Sequence, residues 1–280
     1  MTTIAITGAT GQLGRLAIAA LVARGETPIA LARSPEKAAD LGTEVRAFDY
    51  AAPDAAALAG VDVLVLISSS DFTDRAGQHA NVIAAAVAAG VGRVVYTSIL
   101  KGDASPMLLA QDHIATEAAL KASGLSYTLL RNGWYLENLT GSLGAALAHG
   151  AVIGSAEGGL FSAAARVDFA EAIAVTAATP GHDNAVYELA GDSAFTMADF
   201  AAELGRQTGK AMRYDSLPEA TYAGILTGFG LPEGFARILA DSDAKAAKGA
   251  LHDDSRTLSR LIGRPTTPMA EAIAQALATL

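Results

Sequence analysis

The chain has 280 residues, of which 51% are apolar, with no cysteine and a formal net charge of −9 at pH 7. The lack of cysteine excludes disulfides, thiol catalysis and cysteine-ligated metals, and the acidic charge argues against nucleic-acid binding. No segment has the ~18 uninterrupted apolar residues of a membrane-spanning helix, and no basic leader precedes the first strand, so we predict a cytoplasmic protein without membrane insertion. The five histidines show no metal-ligand spacing, so no metal site is expected.

Strand and helix patterns alternate at short intervals through the first half of the chain. We predict strands over residues 3–7, 28–32, 44–48, 61–67, 93–97 and 126–130, and helices over 13–23, 55–58, 78–89 and 113–123, with a further helix starting at 34–36. This alternation is typical of an α/β fold, a Rossmann-type doubly wound parallel sheet with helices on both faces. The second half is less regular, with a helix over 169–178 capped by Asp168, a strand over 185–189, a helix over 197–208 and a helical region from about 219.

A glycine-rich turn lies between the first strand and the first helix. Its residues are Gly8, Ala9, Thr10, Gly11, Gln12, Leu13 and Gly14. Glycine is needed at the first position for the tight turn, at the second for close approach of a pyrophosphate, and at the third for close packing of helix on strand. The helix N-terminus favours the phosphate charge. We therefore predict dinucleotide binding; the alternative is a structural turn without a ligand.

The end of the second strand indicates which dinucleotide is bound. A site for NAD carries an acidic residue there, whereas this chain has Arg33. A guanidinium binds a 2′-phosphate through two hydrogen bonds, which predicts NADPH, with Arg15 as an assisting residue. The alternative is that Arg33 is an ordinary exposed arginine.

Other residues at the carboxyl ends of the predicted strands are candidate cofactor ligands, because ligands of such sheets bind along that edge. Asp49 is placed at the adenine, and the remaining hydroxyl residues run along the ribose and nicotinamide. They are Ser68, Ser69, Ser70, Thr97 and Ser98. Each has an alternative role as a capping or turn residue.

The Tyr-x-x-x-Lys pair that protonates a carbonyl in many short-chain dehydrogenases is missing, and residues 101–118 contain no tyrosine. An acceptor reduced without such a donor must itself be electrophilic, for example a quinone or a cationic dye. His113 is the candidate acid–base group near the nicotinamide, with a purely structural hydrogen-bonding role as the alternative.

The segment after the sixth strand carries the only tryptophan of the chain. We assign Asn132 and Gly133 to the cofactor, and Trp134, Tyr135 and Asn138 to the acceptor pocket, because aromatic rings and amides suit a planar acceptor. Tyr135 is also a second candidate catalytic residue, and Phe72 closes the other side of the pocket. For Trp134 and Tyr135 the alternative is a buried corner between domains. Residues 1–135 form the dinucleotide-binding domain, to which later segments can return, and residues 136–280 form mainly a substrate-pocket lobe of mixed α/β structure.

Several motifs resemble the NmrA-like atypical short-chain reductases and, within them, the bacterial NAD(P)H:quinone oxidoreductases of type 2. They are GATGQLG at 8–14, LISSS at 66–70, YTSIL at 96–100, HIATE at 113–117, LLRNGWY at 129–135, VYELAGD at 186–192 and DDSRTLSRLIG at 253–263. The resemblance covers nearly the whole chain. It implies a Rossmann-type domain, a small C-terminal lobe with an open quinone pocket, and hydride transfer without flavin.

The function we expect is NADPH-dependent reduction of a quinone or a similar planar, electrophilic small molecule. One alternative is a redox sensor that binds NADP(H) without turnover. The other is a reductase of triphenylmethane or azo dyes. The sequence leaves open whether the chain forms a homodimer.

Overall fold

The computed structural model describes residues 2–280. The elements up to the middle of the chain are β1 Ile4–Ile6, α1 Gln12–Ala23, β2 Ile29–Ala32, β3 Val45–Ala47, β4 Val63–Leu66, α2 Arg75–Ala89, β5 Arg93–Ile99, α3 Ala110–Ala122 and β6 Ser126–Asn132. The later elements are α4 Leu136–Thr140, α5 Leu143–His149, β7 Ala151–Gly154, α6 Arg166–Ala178, β8 Ala185–Leu189, α7 Met197–Thr208, β9 Arg213–Ser216, α8 Glu219–Gly228, α9 Glu233–Ala246, α10 Thr257–Ile262 and α11 Met269–Leu277.

The main sheet has seven strands in the order β3-β2-β1-β4-β5-β6-β8. The first six of these are parallel to their neighbours. The strand order reverses between β1 and β4, which is the switch point where doubly wound sheets bind ligands at their carboxyl edge. The predicted α/β fold class is confirmed.

The core of this sheet is aliphatic because its strands are covered on both faces. Every residue of β1, β2, β4 and β5 is buried. Strands buried in this way have continuous apolar sequences in place of alternating ones, as VLVL of β4 does. The buried strands position the polar residues at their carboxyl ends.

Several predicted boundaries shift. Residues 55–58 form a 3-10 helix, and β5 and β6 each continue two residues beyond the predicted end. Helix α6 begins at Arg166, so Asp168 lies in its first turn instead of capping it. The short strands β7 and β9 and the helices α4 and α5 were not predicted, because each is too short to show a hydrophobic period.

The chain divides into two compact units. The first contains residues 1–102, 112–132 and 166–187, and the second contains residues 103–111, 133–165 and 188–280. In the second unit, β7 and β9 pair in parallel, and helices make up most of the rest. Within residues 2–280, no helix combines the length and the apolar character that crossing a membrane requires.

Candidate dinucleotide site

The glycine-rich turn has the geometry that pyrophosphate binding requires. Gly8 has φ +61°, and a β-carbon on Gly14 would lie 2.2 Å from the carbonyl oxygen of Gly8. Gly11 donates its N–H to Gly8 O at 2.9 Å and precedes helix α1, whose first-turn N–H groups have no partner within the helix. Gly11 and Gln12 are exposed, whereas Ala9 and Leu13 are buried. The turn is therefore anchored in the core and presents an open anion-binding helix terminus.

Tyr50 lies next to this turn, and its role was not predicted from the sequence. Its hydroxyl lies 2.6 Å from Thr7 Oγ1 and 2.8 Å from Ile67 O, which links the carboxyl ends of β1 and β4. The same oxygen would lie 3.2 Å from a β-carbon on Gly8. Burial raises the pKa of Tyr50, so the phenol stays protonated and structural.

Arg33 and Arg15 differ in what they contact. Arg33 is exposed directly after β2 and has no hydrogen bond or ion pair to any residue in the described range 2–280. Arg15 lies 2.7 Å from Asp40 and donates to Lys37 O at 2.7 Å. The free guanidinium at the strand end is thus that of Arg33, while the Arg15 guanidinium is already engaged.

The predicted cofactor ligands at the strand ends differ in whether they already form hydrogen bonds within the chain. Asp49 accepts the Ala51 N–H at 3.0 Å in a local turn, and Thr97 Oγ1 accepts the Ser68 N–H at 2.8 Å. Ser69 Oγ lies 2.7 Å from Gln78 Oε1, and Ser70 is exposed. Ser68 Oγ is buried without a short hydrogen bond in the described chain, and it lies close enough to Tyr96 to oppose part of the rise that burial causes in the pKa of that tyrosine.

Ser98 points into a buried ion pair. It donates to Glu117 Oε1 at 2.7 Å, and Arg131 contacts both oxygens of the same carboxylate at 2.9 and 2.7 Å. Burial alone would raise the pKa of Glu117, but the hydrogen bonds from Arg131 and Ser98 outweigh it and lower the pKa. These contacts favour a structural role for Ser98. Asn132, at the end of β6, is 5% exposed.

His113 lies on α3 and is 7% exposed. Its Nδ1 is 2.8 Å from the hydroxyl of Tyr96, a fully buried residue of β5. His79 of α2 packs against the same tyrosine, with ring centroids 5.4 Å apart. Burial lowers the pKa of His113 well below its usual range, and the Arg75 charge acts in the same direction. His113 is therefore a neutral imidazole at physiological pH.

The loop after β4 carries Phe72 and is fixed by Arg75. The Arg75 guanidinium stacks on the Phe72 ring at 4.4 Å from its centroid and donates from Nε to Ser69 O at 2.7 Å. Phe72 is 36% exposed. Arg75 was not predicted, because a buried arginine has no local sequence signal.

The predicted acceptor residues Trp134, Tyr135 and Asn138 belong to the second unit. Trp134 O accepts the Ala164 N–H at 3.1 Å, and Tyr135 precedes α4. Both aromatic residues are half-buried, and Asn138 is exposed. Gly133 has little room for a side chain, since a β-carbon there would lie 3.1 Å from Leu189 O. Their assignment to an acceptor stays a prediction.

Metal chemistry has no geometric support in the described part of the chain, where no three His, Asp or Glu side chains cluster as metal ligands. The arrangement instead fits a dinucleotide. It combines an open helix terminus after a glycine turn, a free arginine at the end of β2, and polar side chains at the ends of β4 and β5.

Comparison with known proteins agrees with this geometry. Residues 8–180 match the family described as NAD(P)H-binding. Quinone oxidoreductase 2 of Escherichia coli is 52% identical over 96% of this chain and 97% of that protein. The crystal structure of the NADPH-dependent quinone oxidoreductase of Escherichia coli complexed with NADPH superposes with a TM-score of 0.94, at 51% identity over 98% of this chain and 100% of that one.

A second solved structure is the triphenylmethane reductase of Citrobacter sp. complexed with NADP(H). It has a TM-score of 0.91 at 35% identity, over 98% of this chain and 100% of that one. The resemblance seen in the sequence motifs is confirmed by these matches. The chain therefore belongs to the NAD(P)H-binding family of NmrA-like reductases that includes quinone oxidoreductase 2.

Proposed function

We propose that this protein transfers hydride from NADPH to quinones without a flavin. The observation that carries the proposal is the full-length similarity, 52% identity, to a quinone oxidoreductase whose structure holds NADPH. The missing Tyr-x-x-x-Lys pair supports it, because a quinone accepts hydride without a strong acid beside it. Cytoplasmic location stays a prediction, and homodimer formation stays open.

The side chains of this protein hold the reactants and exclude water, while bound NADPH supplies the hydride. The glycine turn binds the pyrophosphate, and Arg33 binds the 2′-phosphate. Ser68 and Thr97 lie at the ends of β4 and β5, where the nicotinamide ribose is expected. We assign Trp134, Tyr135 and Asn138 to the acceptor and His113 to the reacting oxygen.

The test of this function is NADPH oxidation by the purified protein with simple quinones and with a malachite-green-type cation. Activity is compared as kcat/KM, since specificity lies in that ratio. A kcat/KM for quinones well above the kcat/KM for the dye supports the proposal. A higher ratio for the dye assigns the protein to the dye reductases, and tight NADPH binding without turnover of any acceptor assigns it to the redox sensors.

We expect Arg33→Ala to raise KM for NADPH about tenfold to a hundredfold, because two charge-assisted hydrogen bonds to the 2′-phosphate are lost. KM for NADH should stay within about twofold, since NADH lacks that phosphate. The measurement is initial rates with both dinucleotides at a fixed quinone concentration. Arg24→Ala removes another exposed arginine and is the matched control. Equal changes for NADPH and NADH would contradict the role of Arg33.

A further inference from the structure

The hydrogen bonds around His79 fix the position of its single ring proton. Its Nε2 lies 2.9 Å from the backbone N–H of Ser69, so Nε2 accepts and carries no proton. The proton of neutral His79 is therefore on Nδ1, which lies 2.9 Å from Thr116 Oγ1. Thr116 uses its own proton on Asp112 O at 2.7 Å, so its oxygen is free to accept from His79. Burial lowers the pKa of His79 to about 3, which keeps it neutral.

The position of the His79 proton limits where Tyr96 can donate its hydroxyl proton. Tyr96 Oη lies 2.8 Å from His113 Nδ1 and 3.5 Å from His79 Nδ1. The hydroxyls of Thr116 and Ser68 also lie near it, since they oppose part of the rise that burial causes in the pKa of Tyr96. His79 Nδ1 carries a proton and cannot accept another. Because its short contact is to His113 Nδ1, Tyr96 donates its proton to that nitrogen. The proton of neutral His113 must then be on its other nitrogen, Nε2.

His113 Nε2 is also the open nitrogen of the ring. It has no hydrogen bond to any of residues 2–280, and it is not among the polar atoms buried without a partner. An N–H donor, and not a lone pair, is thus available to a ligand at this position. We propose that Tyr96 and His79 are positioning residues that lock His113 in the Nε2–H tautomer, so that it donates a hydrogen bond to the quinone oxygen being reduced.

This inference rests on the proposed function. In the reaction the quinone gains a hydride and becomes the hydroquinone monoanion, NADPH becomes NADP⁺, and the monoanion takes its proton from solvent. The N–H of His113 stabilises the negative charge that develops on the oxygen and keeps its own proton. A neutral imidazole is suited to this task because its donor is aimed before the charge appears.

The tautomer can be measured directly by nitrogen NMR of ¹⁵N-histidine-labelled protein with NADP⁺, near neutral pH. We expect His113 to show a protonated Nε2 and an unprotonated Nδ1, and Tyr96→Phe to produce a mixture of both tautomers. A proton on Nδ1 of His113 in the wild-type protein, or on both nitrogens, would overturn the proposal. This readout does not depend on turnover.

Kinetics test the use of the tautomer in the reaction. Tyr96→Phe should lower kcat for quinone reduction about fivefold to tenfold, the effect of losing one hydrogen bond, with KM for NADPH unchanged. In a His113→Leu background the same substitution should have no further effect on kcat. His113→Gln, which retains an N–H donor, should keep more activity than His113→Leu.

The chain contains a matched control pair. Tyr187 Oη lies 2.7 Å from His182 Nδ1, so Tyr187→Phe removes the same contact elsewhere and should leave kcat unchanged. An equal loss from Tyr96→Phe in the wild-type and His113→Leu backgrounds would show that Tyr96 does not act through His113, and would overturn the proposal. If the wild-type protein turns over no quinone, the proposed function fails together with this use of His113. The NMR result still decides the hydrogen-bond arrangement in that case.

Discussion

Replacing Gly14 by alanine is expected to destabilise the cofactor-free protein by about 3 kcal/mol and to abolish NADPH binding. In the interior of a helix, alanine normally stabilises by about 1 kcal/mol relative to glycine. Here the new β-carbon would lie 2.2 Å from Gly8 O and 2.9 Å from Gly8 C, both backbone atoms of the phosphate-binding turn. Backbone cannot rotate away as a side chain does, so the steric cost exceeds the gain in propensity. Urea unfolding without cofactor measures the loss.

Gly11→Ala is the matched comparison, because it separates the fold from the ligand. Gly11 has φ −75°, which alanine adopts, and its β-carbon would meet only Gly8 O, at 3.2 Å. We expect a much smaller loss of unfolding free energy than for Gly14→Ala in the absence of NADPH, and a dissociation constant for NADPH raised about a hundredfold, since the β-carbon occupies the approach of the pyrophosphate. A Gly14→Ala protein as stable as the wild type would refute the packing argument.

The sheet and the turn were predictable because their signals are local. Unbroken aliphatic strands such as β4, glycines at positions 8, 11 and 14, and Arg33 in place of an acid are each visible within a few residues. Their physical causes, burial on both faces and the steric room of glycine, also act over short distances. The switch point between β1 and β4 then follows from the strand order.

The hydrogen-bond network of His79, Tyr96 and His113 was not predictable, because its members come from α2, β5 and α3. No spacing in the sequence links them. The same holds for Tyr50, which joins the ends of β1 and β4 from a loop. His113 was identified as a candidate from the sequence. Its tautomer, however, depends on the hydrogen bond from the Ser69 N–H to His79 and on the one between Tyr96 and His113. Such contacts between distant residues become visible only once the strands are assembled.

Asp243 of helix α9, in the second unit, also contacts residues that are distant in the sequence. Its Oδ2 accepts the backbone N–H of Ser155, and a β-carbon on Gly154 would lie 2.5 Å from the same oxygen. Burial raises the pKa of Asp243 to about 6, and the hydrogen bond from Ser155 only partly opposes this effect. The folded protein therefore disfavours the ionised carboxylate that the unfolded chain carries at neutral pH.

Asp243→Asn should accordingly stabilise the protein in a pH-dependent way. The carboxyl of unfolded Asp243 titrates near pH 3.9, so between about pH 4 and pH 6 the folded state holds a proton that the unfolded state has lost, and wild-type stability falls as pH rises. Asparagine still accepts the Ser155 N–H and has no charge to bury. We expect a gain of up to about 3 kcal/mol in unfolding free energy near pH 8, shrinking towards zero near pH 4.

The control for this prediction is Asp199→Asn, which is expected to change stability at neutral pH in the opposite direction. Asp199 accepts hydrogen bonds from the N–H and Oγ1 of Thr196, and these bonds lower the pKa of Asp199. Asp199→Asn should therefore reduce stability at neutral pH, and the deficit should disappear only as pH falls through the lowered pKa. Urea titrations of the wild type and both variants from about pH 4 to about pH 8 measure how far each substitution changes the unfolding free energy. A gain from Asp243→Asn that is equal near pH 4 and near pH 8 would mean that packing, and not the buried charge, separates it from the wild type.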